Sequence, residues 1–95
     1  MNARQDFFLL VMEIRDILAD NLKATRKRKG MSQEELAHQA EIDRTYISAL
    51  ERCIYGATID VVDRLAKVLG VTAAQLLTAR GETDEKPRPA KPDGA

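Results

Sequence analysis

The fold of this chain is decided by residues 33–50, which read QEELAHQAEIDRTYISAL. The spacing predicts two short helices that cross steeply over a three-residue turn. Such a crossing needs a small residue where the two backbones approach, and Ala37 supplies it. Ile47 and Leu50 supply the branched apolar side chains that face inward from the second helix. The turn favours a residue at positive φ, so Glu41, standing where glycine is usual, should cost on the order of 1 kcal/mol there.

The second helix has two chemically different sides. At about 100° per residue, Ile47, Leu50 and Glu51 share the inward side. The outward side is short, polar and free of acidic groups, and we expect it to contact DNA bases through Arg44, Thr45, Ser48 and Ala49. An arginine at the start of the helix can donate two hydrogen bonds to guanine, and a major groove can accept the face without charge repulsion. The alternative is an ordinary solvated helix face.

Phosphate contacts are expected around this face. Gln33 begins the first helix of the pair, where side chain and backbone N–H can hold an anion. Arg52 ends the second helix and is a candidate for a second phosphate contact. Tyr46 lies off the centre of the outward face, so a phosphate contact by its hydroxyl and simple packing are equally good interpretations.

The whole chain around this unit is predicted to be all-α, with five helices in one domain over residues 1–80. A long helix runs from about Arg4 to Lys29, and its apolar residues recur mostly at spacings of three and four. Thr58 can cap a fourth helix, and Thr72 with Gln75 can cap a short fifth helix through about Arg80. Residues 81–95 hold three prolines, two glycines and no large apolar residue, so we predict a disordered tail.

The longest apolar run, FFLLVM at residues 7–12, indicates a contact surface. One face of this segment can cover the domain core. Phe8, Leu9 and Met12 remain off that face, and an exposed apolar patch of this kind usually marks an interface. We expect self-association through this segment, alone or together with Leu76 and Leu77 of the fifth helix. The alternative is that the segment folds back as additional core.

Three segments together resemble a known family. They are residues 31–37 (MSQEELA), 43–52 (DRTYISALER) and 65–71 (LAKVLGV). They resemble the phage-repressor class, the lambda Cro and repressor-like or XRE-type regulators, over about residues 16–80. Within that class, the segment RTYIS followed by Glu51 and Arg52 looks most like the controller proteins of restriction-modification systems. Glu41, Cys53 and Ala57 depart from the family pattern, which has glycine, glycine and often proline at these places.

The resemblance implies a helix-turn-helix DNA-binding domain, with the helix-turn-helix proper over residues 33–52. It also implies a structural ion pair, because in this class the position of Arg26 often pairs with the acid that matches Glu51. Glu51 lies on the inward side of its helix, where a buried lone carboxylate would be expensive. We therefore favour this pair over DNA contact for Arg26.

Composition narrows the function. Fifteen acidic residues balance fifteen Lys and Arg, so net charge does not decide for or against nucleic acid. His38 and Cys53 are the sole members of their residue types, so we expect no metal, no cofactor and no covalent catalysis. No small-molecule site is evident, no segment has the length of a membrane span, and a lone cysteine suits the cytoplasm.

The sequence therefore predicts a non-enzymatic transcriptional regulator that binds double-stranded DNA as a homodimer and reads a short palindromic operator. A controller of a restriction-modification operon is the first hypothesis. The alternatives are an antitoxin or autorepressor of another small operon, and a helix-turn-helix module used for protein binding.

Overall fold

A computed structural model describes residues 14–80. These residues form five α-helices and no strand, as expected: α1 (Ile14–Arg28), α2 (Gln33–Ala40), α3 (Arg44–Glu51), α4 (Ile59–Leu69) and α5 (Ala73–Leu76). None of the helices in this part of the chain is both long and apolar enough to span a membrane. The predicted interface residues Phe8, Leu9 and Met12, and the predicted tail at 81–95, lie outside the described residues.

Four of the helices begin at side-chain caps. The oxygens of Ser32, Asp43, Thr58 and Thr72 accept hydrogen bonds from backbone N–H groups in the first turns of α2, α3, α4 and α5. Thr72 forms a full capping box, since the Gln75 side chain also accepts from the Thr72 N–H at 2.8 Å. These bonds satisfy N–H groups that a helix leaves unpaired. The short polar residues in the sequence therefore set where these four helices start.

The core is aliphatic. It is built from Leu18, Leu22, Leu36, Ala37, Ala40, Ile47, Leu50, Val62, Leu65, Ala66, Leu69 and Leu76. Each fully buried leucine or isoleucine contributes about 1.5–3 kcal/mol relative to an exposed one. Helix α3 packs on both α1 and α2, so its position depends on two other elements. This packing leaves only a narrow side of α3 available to solvent.

The fifth helix is shorter than predicted, because it ends at Leu76 and not near Arg80. Asn21, buried in α1, donates from Nδ2 to the backbone oxygens of Leu76 at 2.9 Å and Thr78 at 2.8 Å. The Thr78 hydroxyl donates to the Ala74 oxygen at 2.7 Å. Side chains thus satisfy the carbonyls at this end and the helix stops.

The prediction that Leu76 forms a dimer interface is wrong. Its side chain is 1% exposed and belongs to the core of the chain itself. The helix that carries it is one turn long and packs inward on α1 and α4, so its single large buried residue is used within the monomer. Leu77, the next residue, is half-buried against the core and keeps part of its surface in solvent.

Candidate nucleic-acid interface

The turn between α2 and α3 orients α3, the helix that we expect to contact DNA bases. Glu41 adopts φ 59° and ψ 46°, the left-handed conformation that the sequence demanded of it. The N–H of Ile42 then donates to the Ala37 oxygen at 2.9 Å, closing the end of α2. The Ile42 side chain packs against the core beyond the turn. The left-handed backbone at Glu41 costs about 1 kcal/mol or more, and it closes the turn that fixes α3 relative to α2.

A buried ion pair anchors the end of α3. Arg26 Nε donates to Glu51 Oε2 at 2.6 Å, and Arg26 Nη2 donates to Glu51 Oε1 at 2.9 Å. The two side chains are 9% and 2% exposed. Arg26 also donates from Nη1 to the Met31 oxygen at 2.8 Å, so the guanidinium joins α1, the linker after it and α3. The structure thus brings together the two residues that the family resemblance pairs.

The pair is charged at neutral pH. Burial raises the pKa of Glu51, but the hydrogen bonds from Arg26 and Gln33, together with the positive charges of Arg26 and Lys23, leave that pKa below its ordinary value. The hydrogen bond to Glu51 raises the pKa of Arg26 above its ordinary value despite burial. Each charge therefore stabilises the other in a site where either one alone would be costly.

Gln33 has a structural task as well as its predicted one. Its Nε2 donates to Glu51 Oε1 at 3.1 Å, which ties the first residue of α2 to the end of α3. An amide nitrogen carries two protons, and this bond uses one of them. The second proton remains for the phosphate contact that we expect. The ion pair therefore also orients a residue of the predicted interface.

The outward side of α3 presents a compact polar face. Arg44 and Thr45 are exposed in the first turn, Ser48 is half-buried one turn later, and Arg52 is exposed where the helix ends. The neighbouring Asp43 is held by its cap, because its Oδ1 accepts from the Thr45 N–H at 2.7 Å. We call Arg44, Thr45, Ser48 and Arg52 the reading face.

Ala49 does not belong to this face, which corrects the prediction of a base contact there. It is 6% exposed and so has almost no surface to offer a base. The helical periodicity placed it on the polar side, but α3 packs on two helices at once and the covered arc is wider than one apolar stripe. A small residue at the margin of that arc is covered by the packing.

Tyr46 is used mainly for packing. Its hydroxyl donates to the Gly56 oxygen at 3.1 Å, and its ring lies 6.5 Å from the ring of Tyr55. A phosphate oxygen only accepts hydrogen bonds, and a tyrosine hydroxyl has one proton. A phosphate contact by Tyr46 would require the bond to Gly56 to break. The structure therefore favours the packing interpretation and connects α3 to the loop that follows it.

Two further interactions were not predicted from the sequence. Asn21 interrupts the apolar face that carries Leu18 and Leu22, and a polar residue in such a place is a sign of a buried hydrogen bond. Cys53 adopts φ 59° directly after α3, and its Sγ donates to Asp16 Oδ1 at 2.9 Å. The family has glycine at this place, which is compatible with the positive φ, but no sequence signal connected Cys53 to Asp16.

A polar, acid-free face on a short helix, fixed by the left-handed turn at Glu41 and by a buried ion pair, is the arrangement of a helix-turn-helix DNA-binding domain. The chain belongs to the Helix-turn-helix family, whose pattern matches residues 22–76. It is an XRE-type DNA-binding transcriptional regulator, as the sequence predicted.

Several relatives support this assignment. A hypothetical transcription factor from Neisseria meningitidis serogroup B is 46% identical over 65 residues, which are 68% of this chain and 61% of that protein. This chain thus spans about three fifths of that relative. The control protein C.SmaI from Serratia marcescens is 36% identical over 81 residues, covering 85% of this chain and 96% of that protein.

Solved structures share the fold. The hypothetical transcription factor NHTF from Neisseria superposes with a TM-score of 0.75 and 42% identity, over 78% of this chain and 85% of that chain. The restriction-modification controller protein C.Esp1396I, solved as a tetramer in complex with its natural 35 base-pair operator, superposes with a TM-score of 0.62 and 35% identity. That alignment covers 66% of this chain and 83% of the controller protein.

Proposed function

We propose that this protein binds a short palindromic operator as a homodimer, places α3 in the major groove and controls the transcription of a restriction-modification operon. The observation that carries the proposal is the reading face, exposed on a helix whose opposite side is fixed by the Arg26–Glu51 pair. The similarity to C.SmaI over 96% of that control protein supports the controller role.

The roles of the side chains follow from their positions. Arg44 is exposed at the start of α3, where its guanidinium reaches the O6 and N7 of a guanine. Thr45 and Ser48 add hydroxyl groups to the base contacts. Arg52, at the opposite end of the helix, neutralises a phosphate, and the second amide proton of Gln33 holds another. Because the scaffold fixes α3 before DNA arrives, little conformational freedom is lost on binding.

A single monomer contacts too few base pairs to bind one DNA sequence selectively. An eight-residue helix reaches only a few base pairs, so affinity and selectivity require two copies on two half-sites. In this class of fold, the half-sites of a dimer lie about 34–36 Å apart, one turn of the duplex. We propose a cytoplasmic regulator that acts by occupancy of DNA, with no catalytic step.

Selection of bound sites from a pool of random DNA duplexes tests the proposal. We expect an enriched inverted repeat whose two half-sites are centred about one helical turn apart. The same repeat should occur in the DNA directly upstream of the gene for this chain and beside a restriction endonuclease gene.

The matched controls are Arg44→Ala, in the reading face, and Lys67→Ala, which removes the same charge from an exposed position on α4. Arg44→Ala should lose or change the enriched sequence, and Lys67→Ala should keep it. A pool without enrichment would overturn DNA reading and favour the protein-binding alternative. An enriched repeat that lies upstream of unrelated genes would overturn only the controller role.

A further inference from the structure

The described residues carry an apolar groove that the reading face does not use. Its volume is about 290 Å³ and its apolar lining includes Ile14, Gly56, Ala57, Ile59, Val62 and Leu77. It thus lies between the start of α1, the loop after α3 and the start of α4. This volume corresponds to roughly ten water molecules. Water in such a groove is released when an apolar group enters.

Two isoleucines at the groove are exposed to water in a monomer, which is energetically unfavourable. Ile59 is 81% exposed and Ile14 is 56% exposed, so both β-branched side chains stand largely in water at the groove. Burying one such side chain contributes about 1.5–3 kcal/mol. An exposed apolar surface of this kind usually marks an interaction site.

The chain outside the described residues contains a segment that matches the groove chemically. Residues 7–12, FFLLVM, are six consecutive apolar residues, and only Glu13 separates them from Ile14 at the groove. With one residue between this segment and Ile14, the chain has almost no length in which to turn back onto its own groove. Residues 7–14 contain no glycine and no proline, the residues that make tight reversals possible. The short length of chain between the segment and the groove therefore favours binding to the groove of a second copy.

We propose that the segment Phe7–Met12, which we call the N-terminal arm, occupies this groove on a second copy of the chain, and that the exchange is reciprocal. The inference rests on the homodimer of the proposed function and specifies its contact. Eight residues line the groove, whereas each partner of a stable complex contributes roughly 20–30 residues. Two exchanged arms enlarge the buried area and obey the two-fold symmetry of a closed dimer.

Photo-crosslinking of the full chain tests where the arm lies. Phe8 is replaced by p-benzoylphenylalanine, which keeps an aromatic side chain, and this protein is mixed in equal amounts with ¹⁵N-labelled wild type and allowed to exchange subunits. Irradiation should attach the arm to the tryptic peptide of residues 53–64, which contains Ile59, and about half of the attached peptide should be ¹⁵N-labelled. Attachment of unlabelled peptide alone means that the arm folds back within its own copy. That outcome, or crosslinks only to other peptides, overturns the inference.

A pair of matched variants tests the groove independently. Ile59→Asp places a charge in the groove at the first residue of α4, where an acid is compatible with helix formation. Ile54→Asp makes the same change at another isoleucine, 48% exposed and not among the groove-lining residues. By sedimentation equilibrium, Ile59→Asp should weaken the dimer at least tenfold and Ile54→Asp should not. Equal dimerisation of the two variants overturns the inference.

The experiments distinguish a failure of the arm exchange from a failure of operator binding. A selected inverted repeat without arm crosslinking leaves operator binding intact and removes the arm exchange. Arm crosslinking in a protein that selects no DNA leaves the dimer contact intact and removes the operator.

Discussion

The two sides of α3 differ in every property that decides their roles. The inward side carries Ile47 and Leu50, which are both essentially buried. It ends at Glu51, whose side chain is 2% exposed and forms a bidentate ion pair with Arg26. The outward side carries Arg44 and Thr45, which are exposed to solvent. One side of an eight-residue helix therefore stabilises the fold, and the other is available to bind.

Stability and recognition are therefore separable in this protein. Substitution of a buried, hydrogen-bonded side chain lowers the free energy of unfolding of the protein, whereas substitution of an exposed side chain changes it little. Substitutions on the inward side should thus lower the free energy of unfolding, and those on the outward side should lower DNA affinity.

The largest effect is expected from breaking the ion pair on the inward side. Glu51→Gln or Arg26→Met should each lower the free energy of unfolding by roughly 3 kcal/mol, because the remaining partner stays buried without its counter-charge. The double variant should lose less than the sum of the two. Urea unfolding measures all three, and the exposed pair Asp63–Lys67, at 3.0 Å, is the control: Asp63→Asn should cost less than about 1 kcal/mol. Small, additive losses at Arg26 and Glu51 would contradict the role of the pair.

Acid should break the same pair without a mutation. Folding lowers the pKa of Glu51, so its ionised form stabilises the fold fully above the unfolded pKa of about 4.5 and progressively less as pH falls toward the folded pKa. The difference in unfolding free energy between wild type and Glu51→Gln should be constant from pH 7 to pH 5. It should narrow below about pH 4.5. A difference that widened on acidification would have the wrong sign.

On the outward side, Arg44→Ala should give the largest loss of binding. We expect roughly 1–3 kcal/mol per half-site on the selected operator, a relaxed preference at one base pair, and nearly unchanged unfolding. Fluorescence anisotropy with the operator and with random DNA measures both affinities. Equal weakening on the two DNAs would show that Arg44 positions the helix and would move base reading to Thr45 and Ser48.

A smaller, less selective loss is expected from Arg52→Ala. Because a phosphate contact carries no sequence information, affinity for operator and for random DNA should fall alike. The slope of log affinity against log salt should become shallower by about one for each phosphate that the variant no longer neutralises. Lys67→Ala, which removes an equal charge elsewhere, should leave the slope nearly unchanged. Weakening confined to the operator would assign a base contact to Arg52.

The smallest effect concerns the turn that joins the two helices. Glu41→Gly removes the left-handed strain of a residue with a Cβ, against the entropy that glycine adds to the unfolded chain. We expect a net gain of roughly 0.5–1 kcal/mol in the free energy of unfolding. The same substitution at Glu34, which is helical and exposed, should lose roughly 0.5–1 kcal/mol. Equal losses at both positions would mean that Glu41 is not strained.

The sequence predicted local features well and contacts between distant residues poorly. Caps at Thr58 and Thr72 form as expected, because each acts on an N–H group three residues away. Ala49 and Leu76 were misplaced, because burial there depends on how other helices pack on α3 and α5. The pairing of Arg26 with Glu51 came from the family resemblance and the expense of a lone buried carboxylate. Periodicity alone does not pair residues 25 positions apart.

The all-α class, the starts of the second to fifth helices and the chemistry of the outward side of α3 follow from the sequence alone. These depend on interactions within a few residues, which spacing and residue type decide. Tertiary packing, in contrast, brings Asn21 to the last carbonyls of α5 and adds Gln33 to the Arg26–Glu51 pair. It also decided that Ile14, Ile59 and Leu77 line one groove. Such contacts join residues far apart in the chain, and their geometry exists only when the helices have packed on a common core.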